Sequence, residues 1–114
     1  MENIIKEKSF LFAVRIVKLT KFLRETQNEY IMSKQLLRCG TSIGANVAES
    51  QQAQSRPDFI SKLNIALKEA TETNYWLRLL HETDYLNKEQ FESIIADCRD
   101  IENLLISIVK TSKN

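Results

Sequence analysis

Glycine, proline, histidine and tryptophan are nearly missing from this 114-residue chain, which has two Gly, one Pro, one His and one Trp. So few helix breakers, beside plentiful Ala, Leu, Ile, Lys, Glu and Gln, argue against a strand-and-turn architecture and for helix almost throughout. Long apolar runs are absent too. Phe10 to Val14 is the longest and Arg15 ends it, far short of a membrane span. No basic segment leads into an apolar stretch and a small-residue cleavage site, so the chain reads as cytoplasmic, without a secretion signal and without a membrane partner. The two cysteines, Cys39 and Cys98, lack CxxC spacing and read as reduced core thiols. His81, the single histidine, most simply completes a helix C-terminus. No Gly-rich phosphate loop, zinc-ligand spacing or nucleophile elbow occurs. The expectation is a protein that is not an enzyme, with no catalytic residue, no cofactor and no metal.

What is present is helical periodicity, punctuated three times. Residues 1–114 read as one domain of four helices, at about 2–27, 31–53, 57–82 and 87–111. Ile5, Phe12, Ile16, Leu19 and Leu23 form the first buried seam. Leu36, Gly40, Ile43 and Val47 form the second. Phe59, Leu63, Ala66, Ala70, Thr73, Leu77 and Leu80 form the third, in heptad spacing. Phe91, Ile94, Cys98, Ile101, Leu105 and Ile108 form the fourth. Ser55 and Asp58 make an S-x-x-D cap around Pro57. Asn87 and Gln90 make a reciprocal capping box, with Leu86 and Phe91 as its apolar staple. Short connections make neighbours antiparallel, so the predicted fold is an all-α, up-down-up-down four-helix bundle.

Three features go beyond the bundle itself. Gly40, Gly44 and Ala48 recur every fourth residue, a stripe that predicts close helix packing. Ser42, Asn46 and Glu49 share a neighbouring stripe and, with Asp58, read as a structural polar ladder served by Ser55 and Arg56. The first helix carries a surplus apolar set, Phe10, Leu11, Val14, Val17 and Phe22, more than one core needs. That surplus predicts cover from another subunit, hence a homo-oligomer.

The net charge is +1, yet residues 1–56 carry nine basic against five acidic side chains and residues 57–114 carry seven against ten. Arg15, Lys18, Lys21 and Arg24 step along the first helix as a basic spiral, turning about 60° per step. Lys18, Lys21, Arg24, Arg38 and Arg56 are the candidate phosphate contacts to RNA or DNA, multiplied in an oligomer. The competing reading is a protein-interaction scaffold that binds a protein on the first helix and has no nucleic-acid affinity.

The segment SIGANVAES, Ser42 to Ser50, followed by SRPDF and LNIALKEATETNYWLRLL, resembles the bacterial four-helix-bundle family named after proteins encoded in intervening sequences of 23S ribosomal RNA genes. Val47 stands where that pattern has Ile, and Ser50 where it has Gly. The resemblance implies an antiparallel bundle and a ring-like homopentamer. It also points to one branch, the accessory protein of diversity-generating retroelements, in which a basic barrel binds a reverse transcriptase and nucleic acid.

Overall fold

The computed structural model describes residues 2–113 and shows four helices: α1 (Glu2–Glu25), α2 (Ile31–Ser50), α3 (Arg56–Glu82) and α4 (Lys88–Lys113). They lie side by side in a rod of 44 × 20 × 18 Å. Cross-helix neighbours run in opposite directions along the rod. Gly40 faces Ile16 while Gly44 faces Ser9. Arg38 reaches Glu69 and Glu72 while Glu49 reaches Lys62. Arg56 reaches Ser112 while His81 stacks on Phe91. The bundle is therefore antiparallel throughout, as the short connections require.

The predicted seams meet in one core. Phe12, Ile16, Leu23, Leu36, Ile43, Leu63, Leu77, Leu80, Ile101 and Leu105 are all buried within it. Thr73 enters the same core with its hydroxyl satisfied, since Oγ1 lies 2.7 Å from the Glu69 carbonyl and 3.2 Å from Cys39 Sγ, either of which can accept its one proton.

The caps explain where each helix begins and stops. Ser55 Oγ accepts from the Asp58 amide at 3.2 Å, and Asp58 accepts from the Gln54 amide. Asn87 and Gln90 exchange side-chain-to-amide bonds of 2.8 and 2.9 Å, a complete capping box. At the end of α3, Asp84 adopts φ 70°, and the Tyr85 amide returns to the Leu80 carbonyl at 2.9 Å, closing a Schellman turn.

Two ends differ from the sequence expectation. α1 stops at Glu25 rather than near 27, because Asn28 turns left-handed (φ 55°) and the Glu29 amide folds back to Leu23. α2 stops at Ser50 rather than near 53. Beyond it Gln51, Gln52 and Ala53 bond three residues back, a tighter turn that unwinds the helix.

The start of α2 rests on a carboxylate that lies just before the helix. Glu29 is buried, and its carboxylate accepts from the amides of Ile31, Met32 and Ser33 at 3.1, 3.1 and 2.7 Å. Ser33 Oγ returns a bond to the Glu29 carbonyl at 2.8 Å. One carboxylate thus serves three of the four orphan donors at a positive helix end.

The small-residue stripe is tight only in part. A Cβ on Gly40 would lie 2.8 Å from two carbons of Ile16, and one on Gly44 would lie 3.1 Å from the Ser9 carbonyl oxygen. Ala48, expected in the same contact, is exposed. The reason is geometric: steps of four residues drift about 40° around the helix each time, so the third member has turned off the α1 contact.

Candidate functional site

The expected polar ladder resolves into separate local pairs. Asn46 Nδ2 donates to the Ser42 carbonyl at 2.9 Å, and Ser42 Oγ donates to the Arg38 carbonyl at 2.7 Å. Glu49 is exposed and pairs with Lys62 at 3.1 Å, not with Ser55 or Arg56. Asp58 belongs to the α3 cap. These residues satisfy helix backbone and surface charge, and they do not converge on a common point.

The basic candidates divide more sharply. Arg38 is held between Glu69 and Glu72 of α3, and Glu72 also accepts the Trp76 indole N–H at 3.0 Å. A guanidinium shared between two carboxylates has less of its charge left over for a phosphate. Arg56 donates to the Ser112 carbonyl at 3.0 Å beside an open polar recess of about 490 Å³ at the bundle end. Arg15 clamps α1 to α4 through Asp97 at 2.5 Å and Ser93 Oγ at 2.8 Å. Lys18 and Lys21 are exposed, Arg24 is half-buried, and none of the three has an ion pair among the described residues. The partners of Arg38 lie 31 and 34 residues away, so no local pattern announces them.

Around those lysines the outer surface of α1 carries several exposed apolar side chains. Phe10 is 67% exposed and Leu11 55%, with Ile4 and Val17 about half exposed. At 100° per residue they lie on an arc of roughly 140° that also holds the exposed Glu7, Lys18 and Lys21. Towards α2 this arc continues onto the exposed small residues Ala45 and Ala48. Towards α4 it borders a groove of about 300 Å³ lined by Lys8, Leu11, Phe12, Asp97, Asp100 and Ile101. Such a cluster of large exposed apolar side chains marks a contact site more often than a solvated face.

The thiols lie away from this face, inside the core. Burial pushes the Cys39 thiol up to about 11, against a hydrogen bond from Thr73, and pushes Cys98 higher still with Glu102 beside it. Both are therefore protonated and inert near neutrality. Iodoacetamide at pH 8 is expected to leave both unmodified until denaturant opens the bundle; rapid native-state labelling would contradict that burial. The sign of the linkage is also fixed. A folded pKa above the unfolded value gives stability that is present below about pH 9 and lost as pH rises through about 11.

His81 Nδ1 lies 3.0 Å from the Leu86 carbonyl, and its ring stacks on Phe91 with centroids 4.3 Å apart. It is part of the α3–α4 turn. Among the described residues no three His, Cys, Asp or Glu side chains gather as metal ligands, and no helix is long and apolar enough to cross a membrane.

With that geometry in place, comparison with known proteins gives a consistent result. Residues 1–107 match the family profile described as 23S rRNA-intervening sequence protein. The chain is also similar to a crystal structure of a protein of unknown function from the S23 ribosomal protein family of Bacteroides thetaiotaomicron VPI-5482. The two are 63% identical, with 96% of this chain and 97% of that chain covered and a TM-score of 0.94. No curated protein matches the chain.

Proposed function

This chain belongs to the 23S rRNA-intervening sequence protein family, and on that premise we propose that it is a non-catalytic docking bundle whose working surface is the outer face of α1. The observation that carries this reading is the exposure of Phe10, Leu11, Ile4 and Val17 on one arc of a fully folded bundle. Fully burying such a side chain is worth about 1.5–3 kcal/mol, and about half of that remains to be gained at each of these half-exposed positions, so a partner helix laid along the arc gains most of its affinity from apolar contact. The chemistry-bearing residues elsewhere are occupied: Arg15, Arg38 and Arg56 by the bundle, His81 by a turn, and both thiols by the core.

A second reading has its own support. Lys18 and Lys21, with Arg24, make no ion pair among the described residues, which suits an accessory protein holding RNA or DNA beside a nucleic-acid enzyme such as a reverse transcriptase.

Salt separates the two readings. Protein purified without nuclease is passed through size exclusion with light scattering, with absorbance recorded at 260 and 280 nm. The docking reading expects a complex, free of excess 260 nm absorbance, that persists near 1 M salt. Excess 260 nm absorbance shed as salt rises would favour the nucleic-acid reading instead. Retention of a bare, single-chain mass throughout would overturn the docking reading.

A further inference from the structure

The side of the bundle made by α3 and α4 carries a basic, partly apolar trough that shares no residue with the α1 face. Two open hollows of about 510 and 580 Å³ have Asn64 and Lys68 in common and run together along α3. Their lining extends from Pro57 to Thr71, about 21 Å of helix. Ile60, Ile65 and Leu67 supply the apolar part of that lining, and Lys68 and Lys113 the charge. Ile106 of α4 is 48% exposed and lies two turns before Lys113 on the same helical stripe, with Lys110 between them.

The charge of this trough has one sign. Among the described residues no carboxylate lines either hollow, although residues 57–114 hold ten acidic side chains against seven basic. The nearest carboxylates are engaged elsewhere. Asp58 accepts from the Gln54 amide, Glu69 and Glu72 hold Arg38, and Glu102 accepts from Asn74 at 2.9 Å. Lys68, Lys110 and Lys113 are exposed and make no ion pair among the described residues. A solvated helical surface usually interleaves both signs. Here cations stand alone beside aliphatic side chains.

The backbone decides the form of the occupant. α3 and α4 bond their own amides and carbonyls internally, so the trough offers no sheet edge to an extended chain. Whatever lies in it must satisfy its own backbone, as a helix does. Neither hollow is lined by an aromatic ring or an arginine, so stacked bases and bidentate phosphate contacts have no platform. Aliphatic side chains between lysines suit instead a helix whose apolar stripe is flanked by Asp or Glu. We propose that this trough docks an acidic amphipathic helix of a partner protein. Its apolar stripe covers Ile60, Ile65, Leu67 and Ile106, and its carboxylates meet Lys68, Lys110 and Lys113. The site is separate from the α1 face, so each can be occupied without the other.

The test is fluorescence anisotropy with a dye-labelled helical peptide of about 15 residues, with Leu at every third or fourth position and Glu beside them. A scrambled peptide of the same composition and a single-stranded RNA of similar charge are the comparison probes. Every variant is checked for unchanged helical content. The designed peptide should bind at micromolar concentration, and the scrambled one about tenfold more weakly. Lys68→Glu with Lys113→Glu should weaken the designed peptide about tenfold or more, because like charges then face each other. Ile65→Ser with Ile106→Ser should weaken it at high salt as well as low, since apolar contact is not screened. Phe10→Asp, on the α1 face, should bind as the native chain does. Equal binding of the two peptides, no binding up to about 1 mM, or RNA bound more tightly through the same lysines would overturn the proposal. Binding lost only in Phe10→Asp would overturn it too, and would place the peptide on α1 with the docking reading still standing.

Discussion

Replacing Gly40 with Leu should destabilise the bundle by about 3 kcal/mol or more, the upper end of overpacking costs. The position is fully buried, and the first added carbon alone would stand 2.8 Å from both Cγ atoms of Ile16. Ile16 is itself completely buried, so it has no open space into which to rotate. Relief must come from separating α1 and α2, which opens the core along its length. In a domain of this size the loss corresponds to a fall in melting temperature on the order of 10 °C or more, readable by circular dichroism. Gly44→Leu should cost less, because Gly44 is only half-buried and its closest obstacle is one backbone oxygen at 3.1 Å. Equal melting temperatures for the Gly40→Leu variant and the parent would show that α1 does not press on Gly40.

Glu29→Ala is expected to cost about 2 kcal/mol. Charge-assisted bonds to a helix end are worth roughly 1.5–3 kcal/mol, and water recovers part of the loss. The variant strands three amides, two of them next to a bend that has already left helical geometry at Asn28. Glu29→Gln keeps an acceptor oxygen but loses the charge opposite the helix dipole, so it should fall between the parent and Ala. Urea denaturation checks the order. A Gln variant as damaged as Ala would place the effect in charge alone, and an undamaged Ala variant would remove the cap from the account.

These two positions also mark what the sequence reveals and what it hides. The glycine spacing at Gly40 and Gly44 is periodic, and so are the four seams, because core packing imposes one repeat on every helix. Ser55 with Asp58 and Asn87 with Gln90 are equally visible, since a capping box spans three residues. Glu29 is not visible in the same way. It acts from a position before the cap, across a bend that depends on the left-handed Asn28, and Glu is not a residue normally sought there.

The pairing of the basic residues is hidden for a different reason. Arg15, Lys18, Lys21 and Arg24 look alike as a row, but Arg15 is taken by Asp97 from 82 residues away and the next two are not. Arg38 looked available only while α3 was out of sight. The polar ladder failed on a local point, because Ser42 and Asn46 each found a carbonyl one turn back on their own helix. The surplus apolar set of α1 was legible as a count, since a single core cannot use it. Which of its members stay outside had to come from the packing.

The Arg38–Glu72–Trp76 contact has an optical consequence. Trp76 is the chain's single tryptophan, its indole N–H is tied to the carboxylate that also holds Arg38 of α2, and Tyr75 packs edge-on against it at 5.1 Å. Its emission therefore reports whether α2 and α3 are still paired, without any attached dye. Because the α1 contact surface is elsewhere, that fluorescence should follow unfolding of the bundle and stay silent when the outer face of α1 gains or loses a partner.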